Sequence, residues 1–279
     1  MKILVTGAGG MLGSDLMARL EGRHEAVGVD VDDFDITDEL AARDAVAALR
    51  PGWVIHLAAY TNVDGCEGDP DTAHRVNAEG AGNIAKACWG VRARMLHVST
   101  DYVYDGRKDA PYAETDPVGP LNAYGASKLK GERAVLRVLP DALVVRTSWL
   151  FGLNGPNFVE AILRQVGVKD ELPVVDDQVG SPTFTVDLAD ALARLVEAGA
   201  SGIVHVSNSG ECSWYDYARR ILELAGITGI TVRPVSTEKL GRPALRPAYS
   251  VLSNERYAAI TGHRLRAWDE ALAEYLKNR

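Results

Sequence analysis

Cysteine is scarce in this sequence, with three residues among 279. Cys66, Cys88 and Cys212 are too few and too scattered for a disulfide framework or a zinc knuckle, so we expect reduced residues of the core or of loops. Long apolar runs are also lacking, because no stretch approaches the roughly 20 residues that cross a bilayer. Residues 1–7 lead into a strand and a glycine turn rather than into the apolar region of a signal peptide. These absences favour a cytoplasmic protein.

Positive charge is in the minority. Lys and Arg number 30 against 38 Asp and Glu, which gives a formal charge of −8. This balance argues against a nucleic acid or an anionic membrane as partner, although a local basic pocket could still bind an anion. Hydrophobic residues make up 47% and charged residues 24%, a globular composition that excludes intrinsic disorder. A chain of 279 residues has room for one large domain or two small ones.

The first half of the chain alternates short apolar runs with amphipathic segments. The runs are rich in Val, Ile and Leu without polar alternation, as expected of strands buried on both faces. They cover residues 3–6, 25–29, 53–57, 95–99 and 143–147. Helical patterns lie between them, at 11–21, 38–50, 72–89 and 123–138. This order predicts an α/β fold with a doubly wound parallel (Rossmann) sheet and helices on both faces.

Beyond residue 147 the alternation loosens. Helices are predicted at 157–165, 185–197, 213–225 and 268–277, and strands at 172–175, 202–206 and 230–234. The sequence therefore divides into a sheet domain of residues 1–147, joined by about 184–206, and a smaller, non-contiguous α/β lobe of 148–183 and 207–279.

A glycine loop follows the first predicted strand. Gly7, Gly10 and Gly13 form a G-x-x-G-x-x-G pattern that opens the first helix, with Met11 and Leu12 at the start of that helix. The glycines permit a tight turn and let backbone N–H groups approach a diphosphate, and the helix N-terminus adds a partial positive charge. This strand–turn–helix context predicts the binding of a dinucleotide, and the alternative is a merely tight turn.

Acidic residues follow the second predicted strand. Asp30 stands at its end, where a carboxylate can accept hydrogen bonds from the adenosine ribose hydroxyls and repel a 2′-phosphate. No arginine follows at once to bind that phosphate, so the sequence favours NADH over NADPH. The cluster is not an EF-hand, because Asp35 and Ala41 stand where that loop requires glycine and glutamate. Asp35 and Ile36 are expected to bracket the adenine.

A tyrosine and a lysine lie one turn apart in the helix predicted at 123–138. Tyr124 and Lys128 share a helix face, and a lysine cation together with the positive ring of a cofactor would bring the tyrosine pKa toward neutrality. Thr100 follows the fourth predicted strand, at the sheet edge where open α/β sheets bind ligands, and its hydroxyl can hydrogen-bond a carbonyl. With the glycine loop, these three residues predict hydride transfer to or from a carbonyl.

These residues resemble the extended short-chain dehydrogenase/reductase superfamily. More narrowly, longer strings resemble the dTDP-4-dehydrorhamnose reductase family, with a similarity that runs from residue 2 to about residue 275. The strings are AAYTNVD at 58–64, STDYVY at 99–104, RTSW at 146–149, DQVGSPT at 177–183, and Arg246-Pro247 with Ser250. The resemblance implies reduction of the C4 keto group of dTDP-4-dehydro-L-rhamnose by NAD(P)H. The sheet domain would then bind the NAD(P)H and the smaller lobe the nucleotide-sugar.

The resemblance also implies roles for individual residues. Tyr124 would protonate the developing alkoxide, Lys128 would hold the nicotinamide ribose, and Thr100 would orient the carbonyl. The cofactor groove would be lined by Ala58, Ala59 and Tyr60 beside Gly7, Gly10, Met11, Leu12, Gly13, Asp30, Asp35 and Ile36. Contacts to the sugar would come from Asp101, Tyr102 and Trp149, and contacts to the nucleotide diphosphate from Gln178, Thr183 and Arg246. Core packing is the alternative for Trp149, and a surface ion pair is the alternative for Arg246.

Related protein classes provide the alternatives. A 4,6-dehydratase carries an Asp-Glu pair after the threonine, whereas Tyr102 follows Asp101 here, so that reaction is disfavoured. A nucleotide-sugar epimerase stays open because His56 is typical of epimerases. A binding protein also stays open, since a regulatory subunit of methionine adenosyltransferase uses the same fold. No catalytic metal is expected, although Glu67 could bind a divalent ion at a subunit contact, and a monomer and a homodimer are both compatible.

Overall fold

The computed structural model describes all 279 residues and is built on a six-stranded sheet. The strands are β1 Lys2–Thr6, β2 Glu25–Val29, β3 Trp53–His56, β4 Arg94–Thr100, β5 Leu143–Thr147, β6 Leu150–Phe151, β7 Glu171–Val175, β8 Val179–Gly180, β9 Thr183–Phe184, β10 Gly202–His205, β11 Cys212–Ser213 and β12 Thr231–Val235. The large sheet has the order β2-β1-β3-β4-β5-β10, and every neighbouring pair in it is parallel. The predicted doubly wound α/β fold is confirmed.

Helices cover both faces of this sheet. They are α1 Met11–Leu20, α2 Glu39–Leu49, α3 Val63–Gly68, α4 Pro70–His74, α5 Ala81–Val91, α6 Ala123–Val138, α7 Phe158–Leu163, α8 Thr185–Glu197, α9 Trp214–Leu224, α10 Thr237–Leu240, α11 Glu255–Thr261 and α12 Trp268–Asn278. Buried residues of α1 and α8 pack on one face of the sheet, and those of α2, α5 and α6 pack on the other. None of the helices has the length and apolar composition that crossing a bilayer requires.

The helix predicted at 72–89 is broken in the structure. It consists of α4, a π-helix at Arg75–Gly80 and α5. The π-helical turn carries Asn77, whose side chain accepts a hydrogen bond from the Tyr60 backbone N–H (2.8 Å) and donates to the Tyr60 carbonyl (3.0 Å) and the Ser127 hydroxyl (3.0 Å). The irregular turn therefore ties the segment after β3 to α6, a long-range contact that helix periodicity does not encode.

The expectation that each sheet strand is buried on both faces is wrong for β2. Its residues are half-buried or exposed, and the exposed ones are Glu25 and Gly28. The reason is topological, because β2 forms the edge of the sheet and pairs only with β1. By contrast, the central strands β1, β3 and β5 are almost entirely buried.

The second half of the chain adds three small two-stranded pairings beside the sheet. They are β6 with β9, β7 with β12, and the antiparallel β8 with β11. Sequence periodicity does not predict β6, β8, β9 and β11, because each has only two residues. A separate cluster of buried side chains from α7, α9, α12 and these strands forms the core of this region. The strand β10 lies in the large sheet, where it pairs with β5.

Candidate active site

The glycine loop joins β1 to α1 through a backbone path that leaves no room for a Cβ atom at two of its glycines. Gly7 has a φ of +72°, and a Cβ atom there would lie 2.7 Å from the Ala58 backbone nitrogen. A Cβ atom on Gly13 would lie 2.2 Å from the Gly7 carbonyl oxygen. Gly10 occupies the N-cap position, and no side chain caps α1. The first N–H groups of α1 are therefore available to an anion, which is the arrangement that a diphosphate requires.

Asp30 lies against this loop at the carboxyl end of β2. Its Oδ2 accepts a hydrogen bond from the Gly9 N–H (3.0 Å) and its Oδ1 accepts one from the Val31 N–H (2.9 Å). Each carboxylate oxygen can accept further hydrogen bonds, so both remain able to bind a ribose hydroxyl. The structure thus places a carboxylate beside the loop, at the position where the sequence predicts contact with the adenosine ribose.

One cavity of about 940 Å³ runs from the glycine loop past the ends of β3 and β4 to the tryptophans of the second half. It brings together sixteen of the residues predicted for the site. They are Gly7, Gly10, Met11, Leu12, Gly13, Asp30, Asp35, Ile36, Ala58, Ala59, Thr100, Asp101, Tyr102, Tyr124, Lys128 and Trp149. Tyr60, Gln178, Thr183 and Arg246 are not among the residues that line it.

Tyr124 is placed by the start of α6. Asn122 caps this helix by accepting a hydrogen bond from the Gly125 N–H (2.7 Å), and Glu67 accepts one from the Ala123 N–H (2.6 Å). Gly125 allows close approach, since a Cβ atom there would lie 2.2 Å from the Tyr102 carbonyl oxygen. The first turn of α6 is therefore held directly against the segment that follows β4.

The pKa of Tyr124 lies above its usual value in the structure. Removal from bulk water raises the pKa of Tyr124, the Asp101 carboxylate raises it further, and the Thr100 hydroxyl opposes both effects. Burial is the largest of these effects. The phenol is consequently held in its protonated form, which is the form that can donate a proton to an alkoxide. The prediction for Lys128 included the positive ring of a bound nicotinamide, and it stays a prediction.

Lys128 is buried beneath Tyr124. Its Nζ donates a hydrogen bond to the Val98 carbonyl (2.7 Å), and burial lowers its pKa to about 8 against the opposing effect of the Glu132 carboxylate. Two stacked imidazoles lie behind it, with ring centroids of His56 and His97 5.3 Å apart. Burial lowers the pKa of His56 to about 3, so this ring is neutral at physiological pH.

The Asp101 carboxyl group is buried between Thr100 and the cavity. Its Oδ1 accepts a hydrogen bond from the Thr100 hydroxyl (3.0 Å), whereas its Oδ2 has no hydrogen-bond partner. Burial raises the pKa of Asp101 to about 7, and the Ser250 and Thr100 hydroxyls act in the opposite direction. A carboxyl group with an unused oxygen beside Tyr124 is suited to bind a hydroxyl of a sugar ring.

Trp149 forms the far wall of the cavity in an unusual backbone conformation. Its φ is +47°, which favours glycine, and its ring stacks on Trp214 with centroids 3.6 Å apart. Gly180 lies against the same ring, because a Cβ atom there would meet it at 2.4 Å. Trp149 therefore packs against the core of the second half and also lines the cavity, where its contact with the sugar stays a prediction.

Two residues predicted to contact the nucleotide diphosphate are engaged inside the protein. The buried Gln178 donates from Nε2 to the Thr237 hydroxyl (2.9 Å). Thr183 is fully buried and donates to the Ser181 carbonyl (3.3 Å). Both residues were predicted from the DQVGSPT string. In the structure this string forms β8, the start of β9 and the connection between them, so it also has a structural role.

Arg246 forms the ion pair considered as its alternative, although not at the open surface. Its Nη2 lies 3.0 Å from Asp64 Oδ1, its Nη1 donates to the Ala244 carbonyl (2.9 Å), and its side chain is 14% exposed. The guanidinium also lies close enough to Tyr102 to oppose the rise in the Tyr102 pKa that burial causes. It is therefore a cation next to a predicted sugar contact, held by a carboxylate of α3.

The structure adds cavity residues that the sequence did not indicate. Arg75 of the π-helix lines the cavity, and Arg75 and Lys128 are the two cationic residues of its lining. Trp214 lines it opposite Trp149. Neither residue stands in a recognisable motif, so no signal in the sequence pointed to them.

No group of three or more His, Cys, Asp or Glu side chains is arranged to hold a metal ion. Glu67, considered from the sequence for a metal at a subunit contact, accepts the Ala123 N–H at the start of α6 with one of its carboxylate oxygens.

Comparison with known proteins places this geometry among nucleotide-sugar reductases. A family model described as the RmlD substrate binding domain matches residues 1–279. The chain is 46% identical to a dTDP-4-dehydrorhamnose reductase of Streptomyces griseus, over 97% of this chain and 91% of the relative. It is 43% identical to a dTDP-4-keto-6-deoxy-D-glucose reductase of Streptomyces niveus, over 97% and 95%. A solved dTDP-4-dehydrorhamnose reductase of Bacillus anthracis in complex with NADP has a TM-score of 0.96 at 38% identity, covering 100% of this chain and 99% of that one.

Proposed function

The chain belongs to the RmlD substrate binding domain family, and from that membership we propose that it reduces the C4 keto group of dTDP-4-dehydro-L-rhamnose with NAD(P)H. The resemblance to dTDP-4-dehydrorhamnose reductases, inferred from the sequence, is confirmed. One observation supports the proposal above all: Thr100, Tyr124 and Lys128 line the same cavity as the glycine loop. Membership in this family favours a reductase over the epimerase and binding-protein alternatives.

The residues of the cavity fit the parts of the reaction that a protein must supply. The reduced nicotinamide, when bound, supplies the hydride that reaches the sugar carbonyl carbon. Tyr124, held protonated, donates its proton to the oxygen of that carbonyl as negative charge develops there. Thr100 holds the same oxygen through its hydroxyl, which can rotate from Asp101 toward the substrate. Lys128, whose Nζ donates to the Val98 carbonyl, supplies a positive charge to the cavity and would hold the nicotinamide ribose with its remaining N–H groups.

The binding of the nucleotide-sugar is proposed on chemical grounds. Asp101 and Tyr102 present polar groups to the cavity, and Trp149 offers an aromatic face to the sugar ring. Arg246 suits a diphosphate because its planar guanidinium forms paired charge-assisted hydrogen bonds, and Asp64 keeps it oriented beforehand. Gln178 and Thr183 would contact the nucleotide only if the diphosphate reaches beyond the cavity lining.

A panel of keto sugars tests the proposal. Protein and NADH or NADPH are mixed with dTDP-4-dehydro-L-rhamnose, dTDP-4-keto-6-deoxy-D-glucose and a UDP-4-keto sugar, and the absorbance of the reduced nicotinamide is followed. We expect oxidation with dTDP-4-dehydro-L-rhamnose at the highest kcat/KM. A protein that binds the cofactor but oxidises it with none of the sugars would refute the reductase assignment.

The choice between the two nicotinamide cofactors is predicted to depend on Asp30. A carboxylate hydrogen-bonded to the glycine loop repels a 2′-phosphate, so we expect kcat/KM to be higher for NADH than for NADPH. In Asp30→Asn the preference for NADH should fall by about tenfold, which corresponds to about 1.4 kcal/mol. If the wild-type protein already has the higher kcat/KM with NADPH, the Asp30 carboxylate does not select against the 2′-phosphate.

Two further parts of the proposal concern organisation. We assign NAD(P)H to the domain of residues 1–147 with about 184–206, and the nucleotide-sugar to the lobe of 148–183 and 207–279. We place the protein in the cytoplasm, where its three unpaired cysteines would stay reduced. A homodimer and a monomer are both compatible with the sequence, and size-exclusion chromatography with light scattering would distinguish them.

A further inference from the structure

A buried ion pair lies directly behind the cavity floor. Glu132 of α6 and Arg146 of β5 have side chains only 2% and 3% exposed. Arg146 donates from Nε to Glu132 Oε1 (2.9 Å) and from Nη2 to Glu132 Oε2 (2.6 Å), so the carboxylate is held by a two-pronged contact. The Ser99 hydroxyl donates to Oε1 as well (2.6 Å). These three donors fix the Glu132 carboxylate in one orientation.

The two members of the ion pair face different parts of the protein. Glu132 stands one helical turn from Lys128, and these two side chains of α6 reach consecutive residues of β4, Ser99 and Val98. Arg146 extends the other way, where its Nη1 donates to the Tyr104 hydroxyl (2.7 Å). The negative end of the pair therefore faces Lys128, and the positive end faces away from it.

Among the charged groups around Lys128, Glu132 is the carboxylate that raises its pKa. The surrounding elements carry further titratable and charged groups, which include His56 of β3, Arg94 and His97 of β4, Asp64, Cys66 and Glu67 of α3, Arg75 of the π-helix, Asp101 after β4, Tyr124, Lys130, Arg133 and Arg137 of α6, and Arg146 of β5. Burial lowers the pKa of both histidines, so neither carries charge at neutral pH. Glu132 is the group whose charge counters the effect of burial on the Lys128 pKa.

Stability gives little reason for such a pair to be present. A buried ion pair recovers through its attraction about as much free energy as the removal of its charges from water consumes. Its position offers a different explanation, since it supplies a fixed negative charge one turn from the lysine of the proposed site.

We propose that Glu132 is a positioning residue for the reaction, whose carboxylate, anchored by Arg146 and Ser99, keeps the Lys128 ammonium charged and in place in the cavity floor. The catalytic role given to Glu132 rests on the proposed function, whereas its effect on the Lys128 proton can be tested without it. Burial lowers the pKa of Lys128 to about 8, and the Glu132 carboxylate opposes a further fall. Without that charge, Lys128 should lose the proton at lower pH, by about one unit.

The first experiment measures the proton on Lys128 directly. The full chain is prepared with ¹³C at the lysine Cε position, and the NMR signal of Lys128 is identified by its absence in Lys128→Met. Its titration is then compared between the wild type and Glu132→Gln, which keeps the shape of the side chain and removes the charge. We expect the midpoint to fall by about one unit in the variant. An unchanged midpoint overturns the inference whether or not the protein proves to be a reductase.

The second experiment reads the same shift in catalysis. The alkaline limb of the kcat/KM profile should move to lower pH by about one unit in Glu132→Gln, so that the loss of activity grows as pH rises. Glu270→Gln is the matched control, since it removes the same charge from an exposed position on α12 and should leave the profile unchanged. A loss of activity that is equal at every pH would indicate a merely structural role for Glu132 and would overturn the inference.

A shorter carboxylate provides a variant in case Glu132→Gln does not fold. Glu132→Asp keeps the negative charge and withdraws it from Lys128 by one methylene. We then expect a midpoint shift in the same direction but smaller, with the alkaline limb moving in parallel. A midpoint identical to that of the wild type in this folded variant would equally overturn the inference.

Discussion

Replacing Tyr124 with phenylalanine should lower kcat by about 10²- to 10⁴-fold, the usual contribution of a positioned general acid. The change removes one hydroxyl and leaves a ring that still packs edge-on against Tyr102, with centroids 6.0 Å apart in the wild type. The glycine loop and Asp30 are untouched, so NADH should bind as before. Stopped-flow or steady-state oxidation of NADH gives kcat, and quenching of protein fluorescence gives the cofactor Kd.

The matched control for this prediction is Tyr215→Phe. Tyr215 stands on α9 outside the cavity lining and stacks with Arg219, so loss of its hydroxyl should leave both kcat and cofactor affinity unchanged. Near wild-type turnover by Tyr124→Phe would show that another group supplies the proton. The Asp101 carboxyl, which has a pKa of about 7 and lies beside Tyr124, would be the first residue to examine.

Gly125→Ala is expected to have a comparably large effect without altering any chemical group of the site. The new Cβ atom would lie 2.2 Å from the Tyr102 carbonyl oxygen and 2.9 Å from its carbonyl carbon, and both are backbone atoms that cannot rotate away. The first turn of α6 must therefore move from the segment after β4, which separates Tyr124 from Thr100. Displacement of about 1 Å can lower the rate about 100-fold.

Stability and activity should both report this displacement. We expect a loss of about 1–3 kcal/mol in the free energy of unfolding, as for other overpacked positions, together with the fall in kcat. Gly90→Ala is the control, because Gly90 is an exposed residue of α5 with no atom within 4 Å of an added Cβ. That control should stabilise the protein by up to about 1 kcal/mol. A Gly125→Ala variant with unchanged kcat would show that Tyr124 does not depend on this contact.

Patterns that are local in sequence predicted much of the fold. The glycine loop, the apolar strands and the Tyr124–Lys128 spacing each involve neighbouring residues, and the parallel sheet followed from the order of the strands. Long-range features were not accessible in the same way. The edge position of β2 depends on which strand pairs with which, and the π-helix depends on Asn77 reaching Tyr60.

The electrostatics of the site could be predicted only in part, for the same reason. The spacing of Tyr124 and Lys128 predicted that the lysine and a bound nicotinamide lower the tyrosine pKa, but it gave no indication of the opposing effect of burial on that pKa. Glu132 was visible in the sequence one turn beyond Lys128, but its partner Arg146 lies on a different element. A pair of charges joined across a helix and a strand becomes recognisable only once the fold brings those elements together.

The uncapped start of α1 has a consequence for how ionic strength acts on this protein. Its N–H groups belong to the backbone, and the cavity lining contains only two cations, Arg75 and Lys128. Dipoles of a helix end that face a ligand inside a cavity are little screened by dissolved salt, unlike charges spread over a surface. Added salt would instead weaken the repulsion that a net charge of −8 exerts on an approaching anionic dinucleotide. Cofactor binding built on backbone dipoles is thus expected to tolerate a salt concentration that would release an anion held by surface lysines.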